Sequence, residues 1–341
     1  MSGRSGILAG GNWVVDKLKL IDTYPQENAL ANILTESVGN GGGPFNLLID
    51  LAALGATFPL AAIGLVGKDP DGEWVLQQCT KHGIDSAQLR MHEHAPTSYT
   101  DVMTVQSSGR RTFFHRRGAN SFLGEEHFDF ATVQAKIFYL GYVLLLDRLD
   151  QADTEFGTVA ARMLHDARDA GFKTSIDLVS EDSNRFAEIV LPALPHVDYC
   201  ILNEFEIERT TGIATRHDEV IDLEAIKRAS IKLLQAGVNE WVIVHFPEGV
   251  CALGNDGILR LQGSVCVPQS EIVSSVGAGD AFAAGVLYGL HEDRPIEIAL
   301  RYGVTAAASC LRGAGTSDGI RQLDECLSLE TKFGFRKLEL L

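Results

Sequence analysis

The residues best suited to chemistry lie in the run Ser275-Val276-Gly277-Ala278-Gly279-Asp280-Ala281-Phe282-Ala283-Ala284-Gly285. Gly277 and Gly279 reach backbone angles that side chains forbid, so successive N–H groups there converge on an anion at the start of a helix. Asp280 stands beside that nest, with a phosphate on one side and a hydroxyl on the other. This is the layout of a phosphoryl-transfer site; the plainer alternative is a glycine turn with Asp280 as helix cap. A second glycine turn, Gly41-Gly42-Gly43-Pro44-Phe45-Asn46, opens another apolar run. Leu47, Leu48, Leu51 and Leu54 recur at helical spacing, and Gly55 suits a helix stop. Paired glycines let a ligand approach the backbone, and Asn46 offers both donor and acceptor groups. Alone, this turn also reads as a simple helix cap.

The elements that position these residues alternate. Strands are expected at 7–9, 137–140, 173–177, 199–202 and 241–245, and helices at 156–170, 223–235, 281–290 and 296–311. The fold class is therefore α/β, a mainly parallel sheet with helices on both faces. Ligands in such folds bind beyond the carboxyl ends of the strands, where the motifs fall. One region breaks the alternation. Residues 99–105 and 110–115 are rich in β-formers and flank Ser107-Ser108-Gly109, a hairpin connection. Neither repeats nor low-complexity linkers divide the chain, which reads as a single domain over 1–341 with a small appendage.

The signature from Gly277 to Phe282 resembles that of the ribokinase-like (PfkB) carbohydrate kinases, roughly Asp-Thr-x-Gly-Ala-Gly-Asp before a helix. Ser274 and Ser275 stand where the leading Asp and Thr usually are. The resemblance implies that Asp280 is the general base and that Gly277, Ala278 and Gly279 form the anion hole. It assigns Gly41, Gly42 and Asn46 to the acceptor sugar through a Gly-Gly-x-x-x-Asn segment, and Asp16 to a pair of sugar hydroxyls, bound by charge-assisted hydrogen bonds. The stretch from Ile63 to Gly72 is similar to the family's Gly-x-Val-Gly-x-Asp-x-x-Gly loop. Asn203-Glu204-Phe205-Glu206 with Thr211-Gly212 is similar to the segment that organises Mg²⁺ and its waters, which places Asn203 and Glu206 near ATP and Glu206 on the metal through water. Five segments in the family's order span nearly the whole chain. The resemblance further implies a β-sheet lid built from about 12–38 and 96–120, and a homodimer through that lid. It makes the chain an ATP-dependent kinase of a small sugar or polyol, with a nucleoside kinase as the main rival.

Composition sets outer limits. The net charge of −16 opposes nucleic-acid binding, which needs Lys and Arg on phosphates, and it also repels free ATP, so the site must counter the global field locally. Arg110, Arg111, Arg116 and Arg117 make the lid region locally basic; they suit an anionic substrate, or else solvent and a partner subunit. Gly118-Ala119-Asn120 resembles the family segment that leans toward a neutral sugar. A hydrophobic content of 45% allows a large core, and no apolar stretch is long enough for a membrane span. The first five residues, Met1 to Ser5, lack an apolar leader, and the six cysteines show no paired or metal-ligand spacing, so a reduced, cytoplasmic protein is expected.

Three departures from the family stand out. The Thr-x-Gly-x-x-Gly phosphate loop reads His245-Phe246-Pro247-Glu248-Gly249, shorter and without its middle glycine, leaving Gly249 as the nucleotide contact. Ser274 replaces an acid that helps hold a monovalent cation, which leaves K⁺ dependence open, although Arg312-Gly313-Ala314-Gly315 resembles the rest of that loop. Val14 occupies the place of an asparagine in ribokinases proper, against a strict ribose enzyme. Two other classes compete: a pseudokinase that binds sugar or nucleotide without turnover, and a nicotinamide oxidoreductase, for which no Gly-x-Gly-x-x-Gly follows the first strand.

Overall fold

The computed structural model describes residues 3–218 and 220–338. Met1 and Ser2, part of the stretch read for a leader, lie outside the described residues. The N-terminal half forms β1 (Ile7–Gly11), β2 (Val14–Ile21), β3 (Ile33–Gly41), α1 (Gly43–Ala53), β4 (Leu60–Gly67), α2 (Pro70–Lys81), β5 (Asp85–His92), β6 (Ser98–Val105), β7 (Arg111–Arg116) and β8 (Ile137–Val143). A ribbon of β9 (Ala152–Asp153) and β10 (Gly157–Thr158) leads into α3 (Val159–Asp169), β11 (Lys173–Leu178), α4 (Phe186–Ala193), β12 (Tyr199–Asn203) and α5 (Glu204–Thr211). A second ribbon, β13 (Arg216–His217) and β14 (Val220–Ile221), precedes α6 (Leu223–Gln235), β15 (Trp241–Phe246), β16 (Gly249–Gly254), β17 (Leu259–Gly263), α7 (Ala278–His291), α8 (Ile296–Cys310) and α9 (Leu323–Phe333).

The main sheet has nine strands in the order β17-β16-β15-β12-β11-β8-β1-β4-β5. From β15 to β5 neighbours run parallel, while β16 and β17 add an antiparallel edge. From β1 the chain winds outward first to β4 and β5, then returns to pair β8 on the other side. A crevice therefore opens at the carboxyl ends of β1 and β8, where such sheets bind ligands. Alternation along β1 feeds two cores. Ile7 and Ala9 join a cluster with α1, α2, α7 and α8 residues, whereas Leu8 joins one with α3, α4 and α6 residues. Helices thus cover both faces.

The lid is a separate four-stranded sheet in the order β3-β2-β6-β7. It is mixed: β2 pairs parallel with β6, and the outer pairs are antiparallel. Its strands lie at 14–41 and 98–116, so both segments start two residues later than the sequence implied; the first ends later than 38 and the second ends earlier than 120. Asn12 and Trp13 are buried at its root instead. Trp13 N–H donates to Asn120 Oδ1 at 3.3 Å and the Asn120 amide returns a bond to Trp13 O at 3.1 Å. Asn120 therefore clamps the lid's root rather than facing a ligand. Asp69 does similar work, capping α2 through Gly72 N at 2.9 Å and accepting from Thr97 Oγ1 at 2.6 Å.

Helix starts differ from the sequence reading where turns intervene. The helix expected from 156 begins at Val159, because Thr158 pairs back to Ala152 and then caps the helix, accepting from Ala161 N at 3.1 Å. The helix expected from 281 begins at Ala278, with Gly277 as its N-cap. No helix of the described residues is long and apolar enough to cross a membrane.

Candidate active site

Gly277 has φ +76, and a Cβ there would lie 2.4 Å from the Thr316 carbonyl oxygen, so only glycine fits. This turn places Ala278, Gly279 and Asp280 in the first turn of α7, where amides have no carbonyl four residues back. Those of Gly279 and Asp280 donate to no backbone carbonyl among the described residues. Gly42 repeats the device at α1: its φ is +82 and a Cβ would meet the Asn12 carbonyl oxygen at 2.1 Å. The turn brings Asn46, buried on α1, to Asp280.

Asp280 is held from both sides. Tyr142 donates its hydroxyl to Oδ1 at 2.6 Å, and Asn46 donates Nδ2 to Oδ2 at 2.8 Å. Asn46 is oriented in turn by Asn40, whose amide donates to Asn46 Oδ1 at 2.7 Å. Burial pushes the Asp280 carboxyl up to about 6, although both hydrogen bonds pull it down. Asp16, on lid strand β2, is pushed up to about 8 by burial and then by the charge of Asp280, while a bond from Thr100 opposes the rise. Gly41 packs directly behind Asp16: a Cβ at Gly41 would lie 2.3 Å from Asp16 Oδ1.

A cavity of about 640 Å³ opens in front of these groups. Its walls carry Val14, Asp16, Gly42, Asn46, Asn203, Glu206, Gly277, Gly279 and Asp280. A neighbouring cavity of about 710 Å³ has apolar walls from Phe246, Val265, Ile272, Phe282 and Leu311, and includes Gly249, Ala278 and Asn203. Ser180, Asn203, His245, Ser275 and Gly279 line both, so the two spaces meet at the signature loop. The structure thus gathers the sequence-selected residues at one junction, with Gly41 behind it and Gly249 on the second cavity. The shortened 245–249 loop is a tight hairpin: Phe246 pairs with Gly249 across only two intervening residues. Ser274 accepts from Val276 N at 3.2 Å, serving the turn.

Asn203 and Glu206 form a reciprocal capping box at α5. Asn203 Oδ1 accepts from Glu206 N at 2.9 Å and Glu206 Oε2 accepts from Asn203 N at 2.9 Å. Burial raises Glu206 to about 7. Asp177, missed in the sequence, lies beside it on β11, accepts from the Tyr139 hydroxyl at 2.9 Å, and is raised by burial and then by Glu206. Among the described residues, no group of three or more His, Cys, Asp or Glu is arranged to hold a metal ion. Tyr142 was also missed. The signal for both was positional, since each closes a strand at the carboxyl edge of the sheet.

The family model of pfkB carbohydrate kinases matches residues 12–323. The chain is 25% identical over 299 residues to a ribokinase of Arabidopsis thaliana, covering 86% of this chain and 73% of that protein. It is 24% identical over 303 residues to the 5-dehydro-2-deoxygluconokinase of Shouchella clausii, covering 85% of each. The solved structure of Arabidopsis thaliana ribokinase complexed with ribose and ATP shares the fold, with a TM-score of 0.78 at 22% identity over 96% of this chain and 98% of that one. Because the family model covers well over half of its length, the chain belongs to the PfkB family of carbohydrate kinases, phosphotransferases that act on sugar hydroxyls.

Proposed function

We propose that the chain transfers the γ-phosphoryl group of ATP to a hydroxyl of a small sugar or polyol. The observation that carries this reading is Asp280, held by Tyr142 and Asn46 at the junction of two cavities beside unpaired helix amides. The acceptor occupies the cavity of Asp16 and Asn46, and ATP the apolar one. Asp280 takes the proton of the acceptor hydroxyl as its oxygen bonds to the γ-phosphorus. The bond from that phosphorus to the β,γ-bridging oxygen breaks, and ADP leaves. A base near pH 6 is ionised at neutral pH and close enough to it for efficient proton transfer, worth roughly 10²–10⁴ in rate. The amides at Gly277, Ala278 and Gly279 receive the charge on the transferring group.

The crowding of Asp177 and Glu206 suits a divalent cation, which relieves their mutual repulsion. Both carboxylates already hold hydrogen bonds, so they fit Mg²⁺ through its waters. When bound, Mg²⁺ neutralises phosphate charge. Val14 on the acceptor wall supports an acceptor other than ribose. Phe113 on the same wall offers a face for a base, which supports a nucleoside as the second reading. The related proteins named above differ in their sugars and fix none for this chain.

Assembly through the lid belongs to the same reading. Ile33, Leu34 and Val38 on β3 and Phe114 on β7 are exposed apolar residues on edge strands, which fits pairing with a second copy of the chain. Six unpaired cysteines fit a reducing cytoplasm. An ADP-release assay over ribose, fructose, ketodeoxygluconate, inositol and adenosine tests the function. Release with one acceptor supports it. Tight sugar binding with no release under any acceptor would favour a pseudokinase.

A further inference from the structure

Resting on that reading, we infer that Arg111 is a lid-borne catalytic residue that contacts the γ-phosphoryl group of the nucleotide. Arg111 opens β7 and lines the acceptor cavity. Its Nη2 reaches out of the lid to donate to Ser275 Oγ at 2.6 Å. Ser275 lies two residues before Gly277 and lines both cavities, so the guanidinium is anchored at the junction, beside the unpaired amides.

The neighbouring arginines are engaged elsewhere. Arg117 pairs with Asp147 at 3.2 Å, Arg116 lies 6.0 Å from the Tyr99 ring centroid, and Arg110 is exposed. Arg111 has no carboxylate within 4.0 Å among the described residues, and burial lowers its pKa with no acid to offset it. A guanidinium carries five donors, and one of them is used here on Ser275. The rest suit a ligand rich in anionic oxygens in the cavity that Arg111 lines. His245, the histidine that lines both cavities, is pushed down to about 4 by burial and supplies no charge at neutral pH, whereas His115 is exposed and lines the acceptor cavity alone. Arg336 is the other cation on these walls, but of the two cavities it lines only the apolar one, away from the junction, and its charge acts on Glu248. In a chain of net charge −16, Arg111 is therefore the positive charge at the junction.

The anchor selects phosphate over an anionic group on the acceptor. Acceptor-orienting groups Asp16 and Asn46 stand on β2 and α1, whereas Ser275 belongs to the loop that carries the anion nest. Because β2 and β7 belong to one sheet, a lid seated over the acceptor also holds Arg111 at the phosphoryl group. Transfer is thereby coupled to acceptor binding, and water is denied the same assistance.

The test is calorimetric titration of Mg·AMP-PNP and Mg·ADP into the wild type, Arg111→Gln, Arg111→Lys and Ser275→Ala, each checked for an unchanged unfolding temperature. Arg111→Gln weakens AMP-PNP binding by about tenfold or more and ADP binding by less than about twofold, since only the former carries the γ group. Arg111→Lys falls between. Equal loss for both nucleotides, or no loss, overturns the inference. So does a variant with normal AMP-PNP binding whose KM rises only for a sugar acid or sugar phosphate, which would make Arg111 an acceptor-reading residue. A wild type that binds neither nucleotide overturns the kinase reading itself, and this inference with it.

Discussion

The Tyr142 hydroxyl donates to Oδ1 of Asp280 at 2.6 Å, across 138 positions of sequence. This bond stabilises the ionised carboxylate against the burial that raises it. Tyr142→Phe removes the donor and leaves the ring in place. The Asp280 pKa then rises above about 6, and the acid limb of the kcat profile moves to higher pH by about one unit. An unmoved limb would show that Asp280 does not govern it.

Asp16→Asn addresses the acceptor. Above about pH 8, where Asp16 is ionised, the lid carboxylate receives two hydroxyls in the proposed complex, and an amide is a weaker acceptor than a carboxylate. The acceptor KM rises by about tenfold or more, whereas calorimetric affinity for Mg·ADP is unchanged. Equal losses on both sides would indicate general damage.

Asp50 makes a stability prediction. It is fully buried on α1, accepts from the Ser317 hydroxyl, and leaves Oδ2 without a partner. Burial holds its pKa well above the usual 3.8, so the folded state keeps a proton that the unfolded chain releases. The sign follows: this group's contribution to stability declines as pH climbs through the window between 3.8 and its folded value. Asp50→Asn needs no proton. Its stability relative to wild type improves by about 1.4 kcal/mol per pH unit across that window, read by urea unfolding at two pH values. A pH-independent difference would contradict the assignment.

The lid makes a prediction about assembly. Leu34→Glu on exposed β3 places a charge on the proposed contact. Light scattering at micromolar concentration gives a dimer for wild type and a monomer for the variant. A monomeric wild type removes the dimer from the account.

Much of this site was legible because its signals are local. Glycines before an apolar helix mark Gly277 and Gly42 without any knowledge of the fold, and the alternation of elements marks the sheet. What stayed hidden depends on distant pairing. Tyr142 and Asp177 end ordinary-looking strands, and they matter only because β8 and β11 end at the crevice beside α7. Asn120 was legible as a family residue, yet its burial against Trp13 assigns it to the lid's root. The ribbon at 152–158 was invisible in the helical pattern around it. Arg111 stood out among four arginines only once the lid's geometry separated it from the other three.

The most direct measurement follows product formation by phosphorus NMR, with ATP, Mg²⁺ and the acceptor found by ADP release, for wild type and Asp280→Asn. Wild type yields a sugar phosphate ester and ADP in equal amounts. The folded Asp280→Asn variant forms the ester at least about a hundredfold more slowly. A correctly folded variant that turns over near the wild-type rate would contradict the role of Asp280, and with it the proposed mechanism.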